Sequence, residues 1–412
     1  HARPAKAPGL AFFSSDALAS VAYATEGILL ALVVAGSALL NFQMGIAAAI
    51  AALIVIVSTS YFQTIHAYPS GGGSYIVAKD NLGDNAGLVA GASLLIDYVL
   101  TVAVSITAGV AALTSAIPEL YAHKVLLSLL AIVLLMLGNL RGVREAGKIF
   151  SIPTYVFIIS IFVLIAVGMV RYFSGSEQIP PAQLEATGTY ITIFVVLKAF
   201  ASGCTALTGI EAVSNGIRAF RPPEPRNASI TLLWMAGILG TMFIGISFLA
   251  ERYSIIPVEN ETVLSQLTAT IFSKGPFYYL LQFATALILI MAANTSFADF
   301  PRLSSVMAAD GFMPRQFGSR GDRLVFSNGI LILGMIAMLM VILFKGETHA
   351  LIPLYAVGVF LSFTLSQTGM VVHWIRLTGT RCICTIMFNG LGAMSTAVSL
   401  VGIPSANFLP AS

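Results

Sequence analysis

Charge is scarce in this chain. Only 9% of its 412 residues are Asp, Glu, Lys or Arg, 57% are hydrophobic, and mean hydropathy is +0.90. Soluble domains carry about 25% charged residues, so the composition excludes one and points to a polytopic membrane protein. Cysteine is nearly absent: Cys204, Cys382 and Cys384 are the 3 in the chain. The Cys382/Cys384 pair has no second pair at metal-site spacing, so all three read as small apolar residues. No nucleophile–base pair and no haem ligand set is visible. An enzyme is therefore not expected, nor a bound cofactor. The net charge of +3 gives no argument for a nucleic-acid partner. The chain opens at His1 rather than Met, so its natural start is expected upstream. No cleavable signal peptide is seen, and none is needed where a first span starts insertion.

A bilayer-crossing helix needs about 20 apolar residues. The apolar runs predict spans near 10–36, 42–65, 87–115, 122–139, 149–170, 190–216, 228–250, 276–298, 325–344, 350–373 and 383–403. Lys and Arg set the orientation, because cytoplasmic connections carry them in excess. Of the 21 Lys and Arg residues, fifteen fall on the side of the N-terminus and five on the other, with Lys198 left inside a span. That distribution predicts a cytoplasmic N-terminal segment, 1–9, followed by a multi-pass protein of a bacterial plasma membrane.

Five spans (10–172) precede the connection at 171–189 and five (190–373) follow it. An odd number per half forces the halves to insert with opposite topology, a transporter pattern with a site near the midplane at broken helices. The starts of the halves are alike, DALASV at 16–21 against TALTGI at 205–210. Both segments look breakable, at Ser14–Ser15–Asp16 and at Ser202–Gly203–Cys204–Thr205 with Thr208–Gly209. Small and hydroxyl residues satisfy the freed backbone of an interrupted membrane helix.

Asp16, Asp97 and Glu211 stand in the middle of these spans. A carboxylate at the bilayer centre costs roughly 2.5–3.5 kcal/mol, so it ordinarily lines a pathway or binds something. An acidic interior suits a cation, and a hard monovalent one such as potassium wants several oxygen ligands. Asp97, Thr101 and Ser105 share one helix face at i, i+4, i+8, with Tyr98 beside them. Thr208 and Glu211 are three apart in the sixth span. Asp16 and Tyr23 are two turns apart in the first, and Tyr355 follows Pro353 in the tenth. These groups converge only if spans one, three, six and ten are neighbours. The structural alternatives are specific. Asp16 could cap a half-helix. Asp97 or Glu211 could pair with Lys198. Thr101 and Ser105 could bond their own i−4 carbonyls, and the tyrosines could simply pack. Glu26, about 15 Å beyond Asp16 at helical rise, reads as a vestibule residue. Asp16, then Glu211, are the proton-coupling candidates, because a buried carboxyl can hold either a cation or a proton.

The YPSGGGSY run at 68–75 lacks the lysine placement of a phosphate loop. It resembles the loop after helix two of the amino acid–polyamine–organocation superfamily, and MAADGFMP at 307–314 resembles that superfamily's segment after helix eight. The segment 299–323 reads as a cytoplasmic connection with a short amphipathic helix. The runs FSSDALASVAY (13–23), LIDYVLTVAVS (95–105), SGCTALTGIEA (202–212) and LIPLYAVGVF (351–360) resemble the KimA branch of the KUP potassium uptake family.

The resemblance implies an all-α LeuT-type fold of five plus five inverted helices with helices one and six broken. It implies secondary active import of potassium, as a potassium:proton symporter. The implied pathway is Asp16, Tyr23, Asp97, Tyr98, Thr101, Ser105, Thr208, Glu211 and Tyr355. An amino-acid or polyamine permease of the same superfamily is the alternative. Permeases for amino acids present a glycine-rich break to the substrate carboxylate, where this chain has Asp16. The family also implies twelve spans and a cytoplasmic domain that forms a homodimer and responds to cyclic di-AMP. This chain ends in or just after an eleventh span, so a fragment is expected.

Overall fold

A computed structural model of the chain describes residues 13–33, 37–69, 71, 73–141, 147–175, 193–258, 260–318, 326–378 and 383–408. The expected segment 1–9, most of the connection 171–189, and Cys382 lie outside them.

The described residues are almost all helical, with no strand. The first span is split into α1 (Ser15–Ala19) and α2 (Val21–Val33). It is followed by α3 (Gln43–Ala67), the short α4 (Ser74–Leu82), α5 (Asp84–Ala116), α6 (Lys124–Leu140) and α7 (Gly147–Phe173). The second half opens with α8 (Ile193–Gly203) and the one-turn α9 (Ala212–Asn215). Then come α10 (Glu224–Arg252), α11 (Val263–Phe272), α12 (Pro276–Ala309), α13 (Ser327–Leu343), α14 (Thr348–Thr378) and α15 (Ile383–Phe408). Nine helices among the described residues are long and apolar enough to cross a bilayer. On α6, Leu126, Leu130, Leu134 and Leu137 are 44–69% exposed at helical spacing, a face made for lipid rather than protein.

The first helix of each half is interrupted. Ser14 is a bend, and Ser20 closes α1 before α2 begins. The sixth span tightens to a 3-10 turn at Cys204–Leu207, then turns extended at Thr208 (ψ 148°) and left-handed at Gly209 (φ +77°). Gly209 is required there: a Cβ would stand 2.6 Å from Ala17 N and 2.9 Å from Asp16 Oδ2. Ser20 Oγ also donates to Ala206 O at 3.3 Å, so the two interruptions brace each other.

Packing brings the interrupted helices into the core. The first span packs on the sixth (α2 on α8), the third on the tenth (α5 on α14) and on the eighth (α5 on α12), and the tenth also touches α8. The required neighbourhood of spans one, three, six and ten therefore exists. One expectation is corrected. The segment after residue 298 is not a separate connection: α12 continues through Pro301 to Ala309 before turning at Gly311. Proline ends most soluble helices, but a membrane helix tolerates it because neighbours satisfy the freed carbonyl.

Candidate functional site

Between the two helix breaks, α5 and α14 close a polar centre. Asp16, Asp97 and Glu211 are all buried, at 8%, 7% and 4% exposure. Asp97 lies within electrostatic reach of both Glu211 and Asp16, so the three form one cluster. Each carboxylate keeps one oxygen without a hydrogen-bond partner among the described residues: Asp16 Oδ1, Asp97 Oδ1 and Glu211 Oε1. Buried acceptors left unpaired are costly and call for a ligand. Asp16 Oδ1 is thus not engaged as a helix cap. Lys198 forms no salt bridge with Asp97 or Glu211 among the described residues.

Hydroxyls surround this cluster. Thr101 Oγ1 donates to Tyr355 Oη at 3.2 Å rather than to its own i−4 carbonyl. Tyr23 Oη lies in hydrogen-bonding range of Thr208 and Tyr355, while Thr208 Oγ1 donates to Thr205 O at 2.8 Å. Ser105 is buried on the same face of α5. Tyr98 faces another way: its Oη accepts from Asn215 Nδ2 at 3.0 Å, at the end of α9. Glu211 Oε2 accepts from Tyr61 Oη at 3.3 Å and Ser362 Oγ at 3.4 Å. The structure thus gathers the acids, Tyr23, Thr101, Thr208 and Tyr355 at the centre, and puts Tyr98 at its edge.

A cavity opens from each face of the bundle. One, about 600 Å³, is bordered by Gly71, Gly73, Tyr98, Asn215, Asp299 and Arg302. Gly71 is left-handed (φ +93°) and lies against the Asn215 carbonyl, so the glycine-rich loop forms a wall of this cavity rather than a phosphate cradle. The loop is held by α4, where Tyr75 Oη (2.6 Å) and Lys79 Nζ (2.7 Å) donate to Asp310 Oδ2. Those two donors hold the Asp310 carboxyl below its ordinary range. The other cavity, about 500 Å³, is bordered by Glu26, Lys124, Glu261, Glu347 and His349. Glu26 sits at its floor, accepting from Val263 N at 3.0 Å and paired with His349 Nε2 at 2.7 Å. Beneath it a space of about 20 Å³ reaches Tyr23.

Sequence reasoning missed four residues of this site. Asp299 is buried, ion-paired with Arg302 at 3.3 Å, and within reach of Asp16. The signal was an acid one residue beyond the assigned end of an apolar run; Pro301 made the run look finished. Tyr61, Ser362 and Asn215 are ordinary polar residues in their helices, and only the fold turns them inward.

A buried, acid-lined centre at two facing helix breaks, with a cavity on either side, defines a multi-pass membrane protein of the LeuT-type fold. A solved manganese transporter mutant from Eremococcus coleocola shares that fold at TM-score 0.51 and 13% identity, over 96% of this chain and 87% of that one. This chain belongs to the amino acid permease family, which it matches over residues 10–411. It is 48% identical over 392 residues to the potassium transporter KimA of Bacillus subtilis (strain 168), covering 94% of this chain. It spans 64% of that relative's length. It is also 24% identical over 340 residues to the low-affinity putrescine importer PlaP of Escherichia coli (strain K12), covering 79% of this chain and 72% of PlaP.

Proposed function

We propose that this chain forms the membrane part of a secondary active transporter that imports potassium together with protons across a bacterial plasma membrane. The observation that carries the reading is the set of unpartnered oxygens on Asp16, Asp97 and Glu211, enclosed by the hydroxyls of Tyr23, Thr101, Thr208 and Tyr355. Ser105 and Tyr98 extend the pathway along α5. Oxygen donors of this kind replace the hydration shell of a monovalent cation. The likeness to a potassium transporter supports the choice of ion.

The cavity bordered by Gly71 and Asn215 faces the cytoplasm, together with the N-terminus, and the one over Glu26 and His349 faces outside. The excess of Lys and Arg on the first side supports this orientation. Asp16 and Glu211 are the acids assigned to the proton, one carboxyl carrying it while the neighbouring carboxylates hold the cation. Inward movement of one charge gains about 2.3 kcal/mol per 100 mV, and a proton moving with potassium roughly doubles that drive.

The second reading is import of a polyamine or another organic cation, which the likeness to PlaP favours. An acidic centre accepts an ammonium as readily as a metal ion. The deciding experiment is rubidium uptake into proteoliposomes at fixed membrane potential, with and without an inward pH gradient. Rubidium uptake that quickens with the gradient is expected. Putrescine uptake with no rubidium uptake would overturn the reading.

A further inference from the structure

Two spaces meet at Glu26. The cavity of about 500 Å³ and the small space of about 20 Å³ against Tyr23 share the border residues Glu26, Ala111, Thr262, Thr348 and His349. Ala112 and Leu264 border the small space but not the large one, and Val258 borders the large one but not the small one. The shared residues are therefore a wall between an open vestibule and the Tyr23 end of the central site.

Three helices build that wall, and one side chain joins them. Glu26 belongs to α2, and both its oxygens are engaged. Oε2 accepts from Val263 N at 3.0 Å, and Oε1 is 2.7 Å from His349 Nε2. An ionised carboxylate only accepts, so the ring nitrogen is the donor. Val263 opens α11, and the first N–H groups of a helix have no partner within it. Glu26 supplies one, and the positive end of the helix favours its charge. His349 stands in the first turn of α14. One carboxylate thus closes α2 against α11 and α14 together.

The starts of α11 and α14 are also tied to α5, independently of Glu26. Thr262 N donates to Ser115 Oγ at 3.0 Å, and Thr348 Oγ1 donates to Thr107 Oγ1 at 3.1 Å. Tyr278 Oη donates to Ser115 O at 3.0 Å and lies 2.7 Å from Ser265 Oγ, so α12 holds the same corner. The Glu26–His349 pair differs from these ties in its access to water. The His349 side chain is 35% exposed and borders the vestibule. A pair within reach of water is weakly held and separates readily.

We propose that Glu26 and His349 are the outer latch of this transporter. Paired, they hold the start of α11 across the passage to Tyr23; parted, they let a cation from the vestibule reach it. The proposal rests on the transport reading and the orientation above, and adds the residues that admit the ion. Glu26 and Tyr23 stand three residues apart on one face of α2. A tilt of this half-helix that parts the latch therefore also widens the space at Tyr23. The anchors at Ser115 and Thr107 keep α11 and α14 in place while α2 moves.

The test is thiol labelling of the full chain in intact cells with a membrane-impermeant methanethiosulfonate. Labelling is read by peptide mass spectrometry, so the native cysteines can stay. Val258→Cys reports the vestibule, where Val258 is 54% exposed, and Ala112→Cys reports the space behind the wall, where Ala112 is 2% exposed. With the latch intact, Val258→Cys is expected to react at least tenfold faster than Ala112→Cys. Adding His349→Ala should speed labelling of Ala112→Cys at least tenfold and leave Val258→Cys unchanged. An unchanged rate at Ala112→Cys overturns the latch, and so does an equal rise at both positions, which marks a general loosening. Where His349→Ala does not reach the membrane, Glu26→Gln decides by the same criterion, since it keeps an acceptor for Val263 N and removes the charge from the pair. Val258→Cys that reacts only in inside-out vesicles overturns the orientation and the outer latch together. Wild-type proteoliposomes that carry no rubidium overturn the potassium reading, while the labelling contrast still decides the latch.

Discussion

Gly209 lies against Asp16 so closely that a side-chain carbon at Gly209 would stand 2.9 Å from Asp16 Oδ2. The left-handed turn at Gly209 (φ +77°) is what lets the unwound sixth span reach the first. Alanine there costs about 1–2 kcal/mol in backbone strain alone, before any clash. Gly209→Ala is expected to lower the melting temperature in detergent and to reduce cation uptake at least tenfold. Melting and uptake like the wild type would mean that the close approach is not needed.

Asp97→Asn and Glu211→Gln keep size and remove charge. Each removes a carboxylate whose free oxygen faces the proposed pathway. Uptake is expected to fall at least tenfold in both, with normal yield of monodisperse protein. Wild-type rates in both would take these residues out of the pathway.

Selectivity follows from the donor set. Rubidium is close in size to potassium and should compete with it for uptake. Alanine, arginine and spermidine should not compete, because the centre presents unpaired carboxylate oxygens and hydroxyls suited to a bare cation. Inhibition by micromolar spermidine would move the assignment to the polyamine reading.

Asp310 anchors α4, and hence the loop wall of the cavity bordered by Gly71 and Asn215, through Tyr75 and Lys79. Its folded carboxyl is held below the ordinary value of 3.8 by these donors. A depressed carboxylate stabilises the fold above its unfolded value and loses that contribution as pH falls through the folded one. The melting temperature of the wild type should therefore exceed that of Asp310→Asn at pH 6, and the gap should close below about pH 3.8. A gap that does not change with pH would show that Asp310 acts through shape rather than charge.

Glu26 ties α2 to α11 and α14 by accepting from Val263 N and pairing with His349. Glu26→Ala strands the Val263 N–H, a loss of about 1–3 kcal/mol. Glu26→Gln, which keeps an acceptor but no charge, should fall between alanine and the wild type in a thermal melt. Equal melts for all three would show that water replaces the carboxylate at no cost.

The sequence by itself determined the membrane class, because so few charges among so many apolar residues admit no soluble core. It determined the breaks as well: Ser14 and the run from Gly203 to Gly209 interrupt their helices where small and hydroxyl residues cluster. The three acids stood out because a carboxylate in an apolar run is rarely neutral in its meaning. What the linear pattern could not hold was partnership across the bundle. Thr101 meets Tyr355 254 residues away, and Tyr61 meets Glu211 150 away. Helical spacing fixes which residues share a face, but not which face of another helix lies opposite. Asp299 was hidden for a local reason, since Pro301 ends a helix in water and does not end one inside a packed membrane bundle. The direction of Tyr98 toward Asn215, and the seating of the glycine-rich loop on the cavity that Asn215 and Asp299 border, were likewise decided by tertiary packing. Burial of polar groups among apolar neighbours allows only arrangements that satisfy them, and those partners come from distant parts of the chain.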